Sequence, residues 1–457
     1  MTLLPDLQTR LDEAARRHDV PGAVVAVGYE SELAEAATGV VNRNTGVATT
    51  PESVFQIGSV TKVWTTALVM QLVDEGLVEL DQPVRRYLPG FAVVDPEATE
   101  TVTVRQLLSH TGGFDGDLFE DTGRGDDALD RFLAYLPGNA SQVHPPGAMF
   151  SYCNAGFCVL GALVSRLRGG TWESVLRERL IEPLGAQHMA LLAEEAILFR
   201  AAAGHIKQAG SDEYTVFPRW QMPRSNAPAG ATPCAAPRDL VRFGRMFLAS
   251  GVAADGVRLL SGDAIAAMRS PQVALPGVPL RGAGHWGLGF MLFDWDGTPA
   301  IGHDGGTLGQ SAMWRVMPDH QLVVAATANG GAAPAFFDDL LDPIVGELTG
   351  VTVPLRPVPP SEPARSAVPI PQAYAGRYAY PMVTYDVALA DGGVDITATP
   401  QGLAAQAGMP TKTDRYVPLA GGTFIAAEPE DGRHATVTFV DGGRYLYDGR
   451  AASRVTD

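Results

Sequence analysis

The chain has 457 residues, of which 46% are hydrophobic and 19% charged, so it holds enough apolar material for two or three folded domains. Its 34 basic and 51 acidic residues give a net charge of −17, which argues against nucleic acid and anionic membrane surfaces as partners because both would repel it. No run of about 20 apolar residues is free of charged or turn residues, so we expect no membrane span.

The first part of the chain predicts a surface helix, two strands and a buried helix. Leucines and alanines recur at helical spacing over residues 4–17, and short apolar runs predict strands over residues 23–27 and 33–41. The pair Gly58-Ser59 leads into a long segment that ends around residues 75–76 and is apolar on nearly every side. A helix with this pattern is buried in the protein interior.

The middle third is helical, and strand patterns return after residue 285. Helices are predicted over residues 105–108, 154–167, 172–180, 237–249 and 261–268. Strands are predicted over residues 286–293, 299–303, 310–317 and 321–327, followed by a helix over residues 338–348. Strands from both ends of this region around a helical middle predict one sheet covered by helices, an α/β architecture.

The end of the chain predicts a separate small domain. Seven prolines between residues 351 and 371 are typical of a semi-rigid extended linker. Beyond them, short alternating segments broken by Asp-Gly and Gly-Gly predict an antiparallel β domain, either a barrel or a sandwich. We therefore divide the chain into a main domain (residues 1–350), a linker (351–371) and a small β domain (372–457).

Several familiar signatures of enzyme chemistry are excluded. Residues 282–287 fit G-x-G-x-x-G, but a strand pattern follows where a dinucleotide site needs a helix. The sequence has no P-loop, no H-E-x-x-H motif, no cluster of cysteine and histidine, and no G-x-S-x-G. We therefore expect neither a metal nor a cofactor.

Ser59 and Lys62 form an S-x-x-K pattern at the start of the buried helix. Residues three apart share a helical face, so the hydroxyl and the amine can lie within hydrogen-bond distance. Burial lowers the pKa of a lysine and allows it to act as a base, while a helix N-terminus favours an oxyanion. The alternative is that Ser59 caps the helix and Lys62 reaches solvent.

Two further segments combine polar groups with positions suited to a cleft. Tyr152 and Asn154 stand immediately before another apolar helix, although a tyrosine there is usually a packing residue. His303, Gly305 and Gly306 follow a predicted strand. The paired glycines would let a substrate approach the backbone and leave the Gly306 N–H free for an acyl oxygen, or they form a simple turn.

Together these motifs resemble the serine β-lactamase and penicillin-binding family, in its class C-like branch of esterases, D-aminopeptidases and transacylases. The motifs stand in the family's order: Ser59-x-x-Lys62, Tyr152-x-Asn154 and His303-x-Gly305. Residues 55–62, 107–113, 227–230 and 286–290 also resemble family stretches, within a likeness that extends over roughly residues 5–350. The implied fold is β-lactamase/transpeptidase-like: an antiparallel sheet flanked by helices, an all-helical region, and here a small C-terminal all-β domain.

The resemblance implies a role for each group at the reacting centre. Ser59 would be the acylated nucleophile, and Lys62 and Tyr152 would exchange its proton. The backbone N–H groups of Ser59 and Gly306 would form the oxyanion hole. We interpret His110, which lies in a family stretch, as a structural residue.

The resemblance also implies how the substrate would be held. Asn154 would position Lys62 and contact substrate oxygens, while His303 and Gly305 would line the opposite wall. His303 stands where β-lactamases usually have a lysine, which weakens recognition of a β-lactam carboxylate. A histidine with an ordinary pKa near 6.5 is mostly neutral at pH 7.

The resulting hypothesis is serine-dependent acyl transfer from a small-molecule ester or amide. The opening residues show no secretory signal pattern, so we expect a cytoplasmic carboxylesterase or a natural-product transacylase, as in antibiotic biosynthesis. The acyl group would pass to water, an amine or an alcohol. The alternatives are a D-amino-acid peptidase, a weak β-lactamase and, in a different class, a non-catalytic ligand sensor.

Overall fold

One antiparallel sheet takes its strands from both ends of the main domain. The computed structural model describes residues 3–207, 213–361, 369–406 and 408–455. Within these residues nine strands pair in the spatial order Val47–Ala48, Glu32–Asn42, Gly22–Tyr29, Leu322–Ala328, Ser311–Met317, Thr298–Gly306, Met291–Trp295, Ala283–Trp286 and Val273–Ala274. Every neighbouring pair is antiparallel, which confirms the fold that the sequence predicts.

Helices cover both faces of this sheet. Along the central strand Leu322–Ala328, Val323 and Ala325 face the larger hydrophobic core, whereas Val324 and Ala326 face the smaller one. Because successive side chains point to opposite faces, a strand covered on both sides is apolar throughout. The smaller core lies under two helices, Leu7–Arg17 and Ala333–Thr349, and the remaining helices of the main domain lie over the other face or beside it.

The helical region supplies the larger core. Among the described residues its helices are Thr61–Asp74, Pro96–Thr101, Val104–Leu108, Ala128–Asn139, Asn154–Arg168, Trp172–Leu176, Glu182–Leu184, Ala193–Ala196, Pro237–Leu248 and Gly262–Arg269. A π-helical segment, Arg177–Ile181, continues the helix that begins at Trp172, and short 3-10 helices occur at Gly58–Val60, Val84–Arg86, Arg224–Ala229 and Pro318–His320. Small sheets pair Phe55–Gln56 and Met189–Ala190 with Cys234–Ala235, and His205–Lys207 with Tyr214–Val216.

The helix Thr61–Asp74 lies at the centre of the larger core, as its sequence predicts. Twelve of its fourteen residues are buried, so it has no solvent face along most of its length. Trp64 stacks on Phe243 of the helix Pro237–Leu248 with ring centroids 3.8 Å apart. The 3-10 turn Gly58–Val60 leads directly into this helix and is fixed by the same packing.

The prediction of one continuous strand over residues 286–293 is wrong. The structure has two strands, Ala283–Trp286 and Met291–Trp295, which pair with each other. Between them the backbone leaves the sheet: the Leu288 N–H donates to Met268 O and the Gly289 N–H to Leu108 O, each at 3.1 Å. Bonds to two helical segments replace sheet bonds, and Gly289 permits the turn with a φ of +73°.

The end of the chain forms a closed barrel, so the choice between barrel and sandwich is settled. In the described part of this region eight strands follow one another around it: Gly376–Tyr380, Val383–Ala390, Gly393–Pro400, Lys412–Ala420, Thr423–Ala426, Thr436–Val440, Tyr445–Tyr447 and Ala451–Arg454. The first and last strands pair and close the ring. Short helices at Gln372–Tyr374, Gly402–Gln406 and Asp441–Gly443 accompany it.

The segment before the barrel has no regular secondary structure over residues 351–361. Residues 362–368 of the predicted linker, including Pro363, lie outside the described residues. The domain boundaries at residues 350 and 371 therefore stay a prediction. Within the described ranges, no helix is long and apolar enough to span a bilayer.

The contact between the strand end at Gly305 and the 3-10 turn Gly58–Val60 generates a test of the fold. A Cβ at Gly305 would lie 1.9 Å from Ile57 O, whereas one at the neighbouring Gly306 would meet nothing within 4 Å. We expect Gly305→Ala to lower the free energy of unfolding by about 1–3 kcal/mol, the usual cost of overpacking. Gly306→Ala is the matched control and should unfold like the parent. Thermal denaturation checks both, and equal losses in the two variants would contradict this packing.

Candidate active site

The structure brings Ser59 and Lys62 together. Ser59 lies in the 3-10 turn, and Lys62 is the second residue of the helix Thr61–Asp74. Lys62 Nζ is 3.0 Å from Ser59 Oγ and donates to Ala229 O at 2.6 Å. Lys62 is fully buried and the Ser59 side chain makes no capping bond to the helix, so neither part of the structural alternative holds.

The surroundings of Lys62 lower the pKa of its amine, so that it can act as a base. Burial lowers the pKa of its amine from 10.5 to about 7, because the charged form loses its solvation. The hydrogen bonds of Nζ go to a hydroxyl and a carbonyl, and neither atom carries a full charge. A large fraction of the molecules therefore holds a neutral lysine beside Ser59 at neutral pH.

Tyr152 lies beside the start of the buried helix. Its ring centroid is 4.8 Å from Lys62 Nζ, and burial raises the pKa of its hydroxyl, an effect that Ser59 partly opposes. The ring stacks on His110 at 4.2 Å between centroids, and His110 Nδ1 accepts the Cys153 N–H at 2.9 Å. Tyr152 is therefore protonated at neutral pH, and the contacts of His110 fit a structural residue.

Asn154 is the first residue of the helix Asn154–Arg168, and Cys153 caps that helix through its Sγ. The Asn154 side chain donates from Nδ2 to Asp117 Oδ1 at 2.6 Å. Among the described residues, the hydrogen bonds of Lys62 do not include Asn154. The positioning of Lys62 by Asn154, which the resemblance implies, has no direct bond here.

Asp117 and Arg450 also lie at the site. The sequence analysis did not identify either residue. The Arg450 guanidinium pairs with the Asp117 carboxylate, and its centre lies 5.1 Å from the centroid of the Tyr152 ring. Asp117 belongs to a loop and Arg450 to a turn of the barrel, 333 residues further along the chain. Neither residue belongs to a motif, so no local signal was available to identify them.

The third motif forms the opposite side of the cleft. The strand Thr298–Gly306 brings the His303 ring to 6.1 Å from the Tyr152 ring, between centroids. Burial, together with a smaller contribution from Lys62, lowers the pKa of His303 to about 3, so the imidazole is neutral. At the strand end, the Gly306 amide reaches the Ser59 turn: a Cβ at Gly58 would lie 2.5 Å from Gly306 N.

The arrangement combines a hydroxyl, a neutral amine, a protonated phenol and backbone amides within one cleft. These are the groups that nucleophilic acyl chemistry needs: a nucleophile, a base, an acid and donors for an oxyanion. In the part of the chain that the structure describes, no group of three or more His, Cys, Asp or Glu side chains is arranged to hold a metal ion.

Comparison with known proteins identifies the family to which the chain belongs. A family model described as Beta-lactamase matches residues 7–345. Penicillin-binding protein 4 of Amycolatopsis lactamdurans is 47% identical over 357 residues, which cover 78% of this chain and 93% of that protein. Esterase EstB of Burkholderia gladioli is 31% identical over 209 residues, which cover 42% of this chain and 53% of that esterase.

The likeness to solved structures extends to the whole chain. The crystal structure of SurE matches with a TM-score of 0.77 at 31% sequence identity and covers 98% of each chain. The structure of SurE with D-Leu matches with a TM-score of 0.75 at 30% identity and the same coverage. Since this coverage reaches beyond residue 350, the matched region includes the barrel.

The pKa of Lys62 generates a prediction about pH. If Lys62 accepts the Ser59 proton, labelling of Ser59 by a neutral fluorophosphonate should accelerate as pH rises through a midpoint near 7, because only the neutral amine is a base. Intact mass between pH 5 and 9 measures the rate. His303 should add no step in this range, since its pKa is about 3.

Lys62→Arg is the control for this profile, because its side chain stays protonated throughout the range. It should be labelled slowly at every pH. A parental rate that is constant, or that falls between pH 5 and 9, would contradict the assignment of Lys62 as the base.

Proposed function

Since the chain belongs to the beta-lactamase family, we propose that it catalyses acyl transfer from a small-molecule ester or amide through a covalent acyl-enzyme on Ser59. Serine acyl transfer or hydrolysis is the activity that the family and the named relatives support. The observation that carries the proposal is the Lys62 amine, buried and 3.0 Å from Ser59 Oγ, with its pKa lowered to about 7.

In the acylation step we propose that Lys62 takes the proton from Ser59 Oγ as this oxygen attacks the substrate carbonyl. The carbonyl oxygen becomes negatively charged, and the Ser59 and Gly306 N–H groups would donate to it. When the bond to the leaving group breaks, that group takes a proton from Tyr152 or Lys62. The product of this step is the ester between the acyl group and Ser59 Oγ.

In the second step the acyl group leaves Ser59 for an acceptor. Water, an amine or an alcohol attacks the ester carbonyl, while Lys62 or Tyr152 removes the acceptor's proton. The tetrahedral intermediate collapses, and Ser59 Oγ leaves and regains its proton. Hydrolysis and transfer share the first step, so their ratio depends on how well the site binds an acceptor in line with the ester.

We propose an acceptor or substrate that contains a D-amino acid, and simple esters as acyl donors. The support for a D-amino acid is the SurE structure with D-Leu, and the support for esters is the relative named as an esterase. A β-lactam fits the site less well, because the neutral His303 offers no charge to its carboxylate and Arg315 already pairs with Asp304 at 2.7 Å. A D-amino-acid peptidase remains the second candidate, favoured by the same D-Leu complex.

A non-catalytic ligand sensor would use the same cleft without the chemistry. The buried lysine is the argument against it, since burying an amine costs stability and a sensor has no use for it. A sensor would not be acylated at Ser59. This difference makes covalent labelling the most direct test between the two classes.

We expect Ser59→Ala to abolish the covalent adduct and to lower turnover of an ester by roughly 10⁴ or more, since the nucleophile is lost. Intact mass after incubation with a fluorophosphonate, together with nitrophenyl ester turnover, measures both effects. Ser225→Ala is a matched control, because Ser225 is a buried serine of the same domain with its own hydrogen bonds. Near-parental turnover in Ser59→Ala would rule out the proposed mechanism.

We also expect the acyl-enzyme to pass its acyl group to an amine in competition with water. Water is in large excess, so transfer requires an acceptor bound in the cleft and some shielding of the ester. The experiment supplies an ester donor with D-leucinamide, L-leucinamide or a panel of alcohols, and mass spectrometry separates the products. Faster ester consumption and an amide product with the D-enantiomer above its L-control are expected. Free acid as the sole product across the panel would leave only the hydrolase.

A further inference from the structure

A turn of the barrel (residues 448–450) lies directly against the segment that carries the second motif. Gly449 O accepts the Tyr152 N–H at 3.0 Å, and the Ala451 N–H donates to Ser151 Oγ at 3.1 Å. The barrel is therefore bonded to the main-chain amide of a candidate catalytic residue. It does not merely follow the main domain on a linker.

The barrel wall holds this turn in a defined shape. The Asp448 carboxylate accepts the Tyr385 hydroxyl at 2.5 Å and the Tyr380 hydroxyl at 3.4 Å. The same carboxylate accepts the Arg450 N–H at 3.2 Å. Two side chains from the opening strands of the barrel thus fix the backbone that presents Arg450 to the cleft.

The Arg450 side chain binds a carboxylate that also contacts the second motif. Its Nε and Nη2 both bond to Asp117, whose side chain is only 4% exposed. Among the described residues, the Asn154 amide also donates to this carboxylate, at 2.6 Å. Asp117 is therefore the link between the arginine of the barrel and the asparagine of the motif.

The Asp117 carboxylate has two opposite effects on the proposed chemistry. It orients Asn154, but its negative charge favours the protonated form of Lys62 and so opposes the base. The charge of Arg450 acts on Lys62 in the opposite direction. Paired with Arg450, Asp117 can orient Asn154 while its charge is largely cancelled at the lysine.

We propose that Arg450 is a positioning residue of the active site: it fixes the Asp117 carboxylate on Asn154 and cancels its charge, so that Lys62 stays neutral beside Ser59. The barrel is thereby a component of the site. This inference rests on the acyl transfer proposed above, because the neutral lysine matters only if it accepts the Ser59 proton.

Any pH effect must be judged against the other groups around Lys62. Burial is the largest influence on its pKa and Cys158, which raises the pKa, is the next; the effects of Arg450 and Asp117 are smaller and of opposite sign. The titratable and charged groups that act on Lys62 or face it from neighbouring elements are Asp117, Tyr152, Cys153, Cys158, His110, His303 and Arg450. Burial keeps both histidines neutral and both thiols protonated near pH 7, so the ion pair supplies the fixed charges.

The test measures the pH dependence of Ser59 labelling in full-length variants. Arg450→Gln leaves the Asp117 charge uncancelled and should raise the midpoint by roughly one pH unit, while Asp117→Asn leaves Arg450 unopposed and should lower it by a similar amount. The double variant should return toward the parental midpoint. Arg450→Lys keeps the charge and should keep the midpoint while it labels more slowly, because a lysine cannot form the two-point contact.

A purely structural contact would lower the rate in all these variants without moving the midpoint in opposite directions. Arg415→Gln is the matched control, since Arg415 pairs with Asp395 on the barrel surface away from the cleft, and it should leave the profile unchanged. If Arg450→Gln fails to fold, as judged by circular dichroism, Arg450→Lys and Asp117→Asn carry the test. An unchanged midpoint in a folded Asp117→Asn protein overturns the proposal.

The two proposals fail in distinguishable ways. A parental protein that is never labelled at Ser59 contradicts the acyl-transfer function itself. A parental protein that is labelled with a midpoint near 7, with single variants whose midpoints stay fixed or move in the same direction, contradicts only the role of Arg450.

Discussion

The arrangement of the active site depends on the buried amine of Lys62, which among the described residues has no carboxylate as a hydrogen-bond partner. Lys62 makes its hydrogen bonds to a serine hydroxyl and to Ala229 O, and its desolvation moves the pKa to the neutral range. Such a group is unfavourable for stability because it has lost its water, so the favourable packing of the surrounding core must offset its cost. The helix that carries it is accordingly buried along nearly its whole length.

Close van der Waals contacts fix the elements around this lysine. The strand end at Gly305 approaches the Ser59 turn so closely that a single added carbon would collide with Ile57 O. On the other side, His110 stacks on the Tyr152 ring and binds the backbone next to it. Close packing therefore sets the distances between groups that come from three distant parts of the chain.

Local patterns predicted most of the elements, and they failed where a distant segment decides the structure. Periodicity located the buried helix, and spacing located the S-x-x-K pair at its start, because both depend on neighbours in the sequence. It missed the break at residues 287–290, because the bonds that draw this backbone away come from Met268 and Leu108. The Asp117–Arg450 pair was beyond reach for the same reason, since no pattern links residues 333 positions apart.

The Asp117–Arg450 ion pair joins the barrel to the main domain of the same chain. Without the barrel, Asp117 would lose the arginine paired with it, and the Tyr152 N–H would lose its acceptor. Removing one partner of a buried ion pair typically costs about 3–5 kcal/mol, because the remaining charge is uncompensated. A covalent link keeps Arg450 at high local concentration beside Asp117, so the contact that docks the barrel also keeps this carboxylate paired.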